Sequence, residues 1–123
     1  MPIRVQIHNR SRTLARPVVA TLCESFGCRL RGLMFRGRLA PDDGLLLVER
    51  GESRFGASIH MWFVGFELSV FWLNEQLRVV DRVMAKPWRL AYFPRVRAKY
   101  ILEIHPRRWN DYEIGDQVEI QPA

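Results

Sequence analysis

Three histidines, two cysteines and a block of tryptophans set beside arginines are the residues of this chain whose types could do chemistry. Neutral imidazoles bind zinc well, and His8, His60 and His105 all fall in stretches that read as extended. Nothing in their spacing brings them together, so individually hydrogen-bonded histidines are expected rather than a metal centre. Cys23 and Cys28 lack the second Cys or His pair that a zinc site needs. A bridge between them is compatible with the spacing but not demanded by it, and two free, buried thiols are the expectation. Ser58 stands two residues before His60. A nucleophile, however, needs a strained, exposed turn beside a base, and the chain has no Gly-x-Ser-x-Gly elbow, paired-carboxylate pattern or phosphate-cradling glycine loop. Neither a catalytic residue nor a cofactor is therefore named.

Binding is the better-supported chemistry. Trp62, Phe63, Phe66, Phe71, Trp72, Trp88, Tyr92 and Phe93 are read mostly as core, yet some could line a ligand pocket with Arg31, His60 or Arg89 as polar anchors. Trp88 and Tyr92, in a proline-bounded segment beside arginines, are the rings whose exposure would be informative. The candidate ligand-binding residues are Arg31, His60, Trp62 and Trp88, and the expected occupant is a small anionic or carbohydrate-like ligand, or else a protein partner.

Nucleic acid is the rival partner. The 123-residue chain carries a formal charge of +6, and residues 1–41 hold eight arginines against the single acid Glu24. The remaining eleven basic residues face twelve acidic ones. With Arg95-Val96-Arg97 lying near aromatics, that asymmetry suits an anionic surface, although a basic block is more often a solvated face. If Arg31 and Arg36 share one groove with Arg95 and Arg97, nucleic acid is favoured; if they are dispersed, a binding module is. No recognised nucleic-acid-binding motif accompanies these residues.

An apolar fraction of 48% and a charged fraction of 26% are those of an ordinary globular domain. The length predicts one domain over residues 1–123, burying roughly two-thirds of its unfolded surface. Arginines interrupt any secretory core near the start, and no apolar run approaches the ~18 residues of a membrane span, so a cytoplasmic protein is expected.

The elements that must position these residues are mostly strands. Ile3, Val5 and Ile7 alternate with Arg4, Gln6 and His8, and Val18 to Leu22 makes a second strand. Ser25 is placed to cap a short helix in which Phe26, Leu30 and Leu33 form one apolar, core-facing stripe, with Gly32 ending it. Pro41-Asp42-Asp43-Gly44 is a turn, and Leu45 to Val48 a strand buried on both faces. Residues 49–57 read as a surface loop. Leu68 to Leu73, with bulk on both faces, and the arm from Leu77 make a central hairpin, joined by Asn74-Glu75-Gln76, in which Asn74 is able to adopt left-handed geometry. Pro87 and Pro94 make residues 85–99 a second loop. Tyr100 to His105 is a strand, Pro106 opens a helical turn, and Val118 and Ile120 close the chain. The fold class predicted is α+β: a sheet-rich single domain, mostly antiparallel and partly barrel-like, with about seven strands, one short helix and a helical turn near the C-terminus.

Arg29-Leu30-Arg31-Gly32-Leu33-Met34-Phe35-Arg36, His60-Met61-Trp62-Phe63, Val70-Phe71-Trp72-Leu73 and Ala98-Lys99-Tyr100-Ile101-Leu102-Glu103 carry a resemblance to the domain of unknown function 192 family of small prokaryotic proteins. The resemblance covers roughly residues 13–121. It implies a compact, sheet-rich domain with no agreed activity, cofactor or catalytic residues. Where many members have Asp after a Pro-Ile or Pro-Leu pair, this chain has Ser69.

Overall fold

Strands form where the sequence alternates or runs apolar, and the computed structural model describes residues 3–123. In chain order they are β1 (Arg4–Asn9), β2 (Val18–Cys23), β3 (Asp43–Ser53), β4 (Leu68–Leu73), β5 (Val79–Ala85), β6 (Ala98–Ile104) and β7 (Val118–Pro122). A helix, α1 (Phe26–Arg31), lies between β2 and β3, and a 3-10 turn (Pro106–Asp111) follows β6. The sheet order is β5-β4-β6-β3-β2-β1-β7. Every neighbouring pair is antiparallel except β2 and β3.

The sheet curls until its two edges touch at one end. Val79 N–H donates to the Asp116 carbonyl at 2.9 Å and Val118 N–H to that of Leu77 at 2.9 Å, while Arg78 and Gln117 form an isolated bridge. Buried Asp116 holds this pinch, accepting from Asn9 Nδ2 at 2.8 Å, Arg12 Nε at 2.7 Å and Glu113 N–H at 2.9 Å. The barrel is not closed along the rest of β5 and β7, so partial closure is the correct description.

Curling divides the core in two. Inside lie Ile7, Leu46, Phe71, Leu102 and Val118, plugged by Tyr112. Outside, Leu45, Leu47, Val70, Trp72 and Ile101 are covered by Leu33 and by Ala57, Ile59, Met61 and Val64. Strand β4, buried at all six positions, serves both, as its two apolar faces require.

Four expectations are corrected. Strand β3 runs on to Ser53, absorbing the first half of the expected loop through a register shift after Val48. Ser25 does cap α1, its Oγ accepting from Cys28 N–H at 3.1 Å, and Gly32 ends it at φ 50°. But Phe26 is 72% exposed and Leu30 is exposed too, so only Leu33 of the supposed core stripe is buried. In the hairpin, Leu77 rather than Asn74 takes the left-handed position, at φ 62°. Asn74 instead accepts Gln76 and Arg78 N–H on its side-chain oxygen, both at 3.0 Å.

The fourth correction concerns the cysteines. Cys23 ends β2 and Cys28 lies in the first turn and a half of α1, with Cα atoms 5.6 Å apart, and they form a disulfide instead of two free thiols. The bridge ties an otherwise weakly packed helix to the sheet. We expect Cys28→Ser to lower the unfolding free energy by about 2 kcal/mol, the loop-entropy value for so short a ring. Denaturant midpoints of the oxidised wild type and the variant check this, and coincident midpoints would show that the bridge constrains nothing.

Candidate functional site

Residues 59–61, just past the first expected loop, pair with the second, residues 85–99. Ile59 and Tyr92 exchange backbone hydrogen bonds at 3.0 and 2.8 Å, Met61 N–H donates to the Arg89 carbonyl at 3.0 Å, and Trp88 N–H to that of Met61 at 3.0 Å. Trp72 Nε1 anchors the pair to the sheet by donating to the Ala57 carbonyl at 2.7 Å.

His60 joins this unit to α1. Its Nε2 lies 2.8 Å from the Leu30 carbonyl oxygen, and its Nδ1 accepts Trp62 N–H at 3.2 Å. That arrangement requires the neutral Nε2–H tautomer. Both nitrogens are engaged, so His60 works as a clamp between helix and loop.

Between them lies a cleft of about 490 Å³. Phe26, Leu30, Phe55, Trp62 and Leu90 stand around it, all exposed. Arg29 and Glu49 also line it as an ion pair, Nε to Oε2 2.8 Å, and Arg29 Nη1 donates to the carbonyls of Glu24 and Val48 at 2.6 and 3.2 Å. The exposed α1 stripe is therefore the cleft's rim.

Behind it is a chamber of only about 30 Å³, sharing Leu30, Leu47, Ser58 and His60 with the cleft as walls. Glu103 of β6 lines it. Its direct neighbours across the sheet are Leu45 and Val70 of the outer core. Glu103 is 5% exposed, and burial pushes its carboxyl up to about 7.

Of the four residues expected at a site, His60 and Trp62 line the cleft, with Trp62 48% exposed. Arg31 is exposed and lines the chamber. Trp88, 58% exposed, belongs to a neighbouring aromatic patch: Phe35 stacks on Phe63 at 4.7 Å, and Phe63 meets Trp88 edge-on at 5.1 Å. All three of these residues have left-handed backbones, at φ 65°, 59° and 65°, unusual for bulky side chains. His8 pairs with Gln6, and His105 accepts Arg107 N–H, both at 3.0 Å and both on other elements.

The basic N-terminal third is largely neutralised by the fold. Arg4, Arg10, Arg12, Arg16 and Arg29 pair with Asp43, Glu119, Asp116, Asp42 and Glu49. Arg95 is committed to buried Asp81, 2.8 Å away. Desolvation alone would raise the Asp81 carboxyl, but hydrogen bonds from Arg95 and from the Arg95 and Arg82 N–H groups outweigh it and hold it below the usual range.

Sequence reading missed Glu103, the Arg29–Glu49 pair and the rim role of Phe26 and Leu30. The one available signal was an acid inside Tyr100-Ile101-Leu102-Glu103-Ile104, a strand otherwise apolar.

The model of the domain of unknown function 192 family, described as Uncharacterized ACR, matches residues 6–120. The chain belongs to this family. A UPF0127 protein of Pyrococcus horikoshii is 36% identical over 92% of this chain and 96% of its own length. One from Thermococcus kodakarensis is 39% identical over 83% of this chain but only 64% of its own length. Among solved structures, a Novosphingobium aromaticivorans protein of unknown function superposes with a TM-score of 0.79 at 20% identity, over 96% of this chain and 84% of that one. A Sinorhizobium meliloti protein, described provisionally as a transcription regulator, gives 0.82 at 22%, over 97% and 93%. At such identities the likeness carries the family fold alone. Ser69 is buried on β4 with its Oγ 3.4 Å from the Pro106 carbonyl oxygen.

Proposed function

We propose that this member of the family is a non-catalytic binding module that holds a small ligand in the cleft between α1 and the paired loops. The observation that carries the reading is the cleft itself: exposed apolar and aromatic side chains converge on a partly buried ion pair instead of covering core. The sequence pointed to an anionic or carbohydrate-like occupant. Arg29 is already neutralised by Glu49, so a compact body with an apolar face, a sugar ring included, fits better than a free anion. The Cys23–Cys28 bridge favours an oxidising compartment, or the disulfide-tolerant interior of hyperthermophiles, over the ordinary reducing cytoplasm expected by default. No helix among the described residues is long and apolar enough to cross a membrane.

Benzyl alcohol, titrated against the protein and followed by amide chemical shifts, is expected to move Leu30, His60 and Trp62. Trp62→Ala is expected to weaken its binding about tenfold, or about 1.4 kcal/mol. Shifts confined to Phe63 and Trp88 would overturn the cleft as the site. That outcome would favour a second reading, in which the Phe35–Phe63–Trp88 patch contacts an acidic protein segment. What supports it is the left-handed display of three exposed rings flanked by Arg36 and Arg89, both exposed.

A further inference from the structure

Among the polar side chains around the chamber beside the cleft, three have their partners. Arg29 is held by Glu49 and two carbonyls, Ser58 Oγ donates to the Phe55 carbonyl at 2.7 Å, and both nitrogens of His60 are engaged. Arg31, in α1's last turn, is exposed, lines the chamber and makes no side-chain hydrogen bond to a described residue. Glu103, a residue 5% exposed, likewise makes no hydrogen bond to any described residue, and it is the one carboxyl on the chamber wall without a partner. A largely buried carboxyl without a donor is costly to ionise, and a ligand that supplied one would relieve that cost.

Size narrows what could supply the donor. A chamber of about 30 Å³ holds one or two water-sized groups and no ring. The apolar cleft next to it is more than ten times larger. Small polar chamber and large apolar cleft together describe a ligand with a compact donor head and an apolar body.

We infer that Glu103 is the recognition point for the head group of the cleft's ligand, and that this head is a primary ammonium attached to an aliphatic or aromatic body. The inference rests on the cleft being the binding site and adds to it the chemical class of the ligand. An ammonium brings three donors and a positive charge to a carboxylate that makes no ion pair with any described residue. A carboxylate head would meet like charge, and a hydroxyl would satisfy one lone pair without neutralising the ion. The charged and titratable groups facing this end of the chamber are Arg29 and Arg31 from α1 and His60 from the loop. Strands β3 and β4 contribute only Leu47 and Leu68 there. Since burial holds the Glu103 proton to about pH 7, the carboxylate form needed for an ammonium prevails only above neutrality.

Hexylamine, hexanol and hexanoate, titrated calorimetrically into the intact oxidised protein at about pH 8 and again at about pH 5.5, separate the possibilities. Hexylamine is expected to bind about tenfold more tightly than hexanol at the higher pH and to lose that advantage at the lower one, although the amine stays charged throughout. In Glu103→Gln the preference should vanish at both pH values while hexanol binding persists. Equal binding of all three to the wild type, or a preference for hexanoate, would overturn the role of Glu103 and leave the cleft standing. An amine preference that survives in E103Q would also overturn it. Failure of all three compounds to bind would remove the cleft as the site, and the inference with it.

Discussion

Glu103→Gln will gain stability over the wild type by about 3 kcal/mol between pH 4.5 and pH 8, in the absence of any ligand. The Glu103 carboxyl releases its proton near 4.5 when exposed and near 7 when buried in the folded chain. Below the first value both states hold the proton, and Glu103 adds no pH dependence. Through the window the folded state keeps a proton that the unfolded state has released, so rising pH favours unfolding. Above about 7 both states are ionised and the full penalty of a desolvated carboxylate remains. Glutamine has the same shape and no charge, so the difference between the two denaturation curves isolates this one group. Urea unfolding of both proteins at several pH values gives the answer directly. A constant difference would mean that the carboxylate is solvated or paired in the folded state.

Trp72→Ala is expected to cost about 4 kcal/mol, a large share of the 5–15 kcal/mol that holds such a domain together. The indole is 1% exposed in the outer core, on β4 between β5 and β6. Its removal leaves a cavity that flanking strands cannot fill without breaking register, and it also strands the buried Ala57 carbonyl. Trp72→Phe separates the two losses, since it keeps most of the volume but not the donor, and should cost about 1–3 kcal/mol. Because Gly56 and Ser58 flank Ala57 and line the cleft, both variants should also weaken benzyl alcohol binding at matched folded fractions. A Trp72→Phe protein that binds as the wild type does would show that the tether is not what holds the loop.

Strands were legible in the sequence and the site only in part, for a common physical reason. Alternation in Ile3 to His8 and bulk on both faces of Leu68 to Leu73 are local patterns, and β1 and β4 form where those patterns lie. Spacing at Phe26, Leu30 and Leu33 equally describes a helix facing a core and a helix edging a cleft, and only the position of the loop across from it decides between them. The ladder joining Ile59 to Tyr92 spans residues far apart in sequence. Glu103 is buried because β3, β4 and α1 surround it, and none of those contacts can be read from the strand that contains it. The arginines of the first third misled in the opposite direction, as their partners lie dozens of residues away, Arg12 with Asp116 being one case.

The left-handed backbones of Phe35, Phe63 and Trp88 set stability and surface character against each other. A glycine at any of these positions would relax a conformation that costs on the order of 1–3 kcal/mol with a bulky side chain, and would delete an exposed ring in the same step. The chain therefore sits away from its own thermostability optimum at three sites on one face. Mutational drift governed by folding alone would strip that face of its aromatic rings before it damaged the sheet beneath.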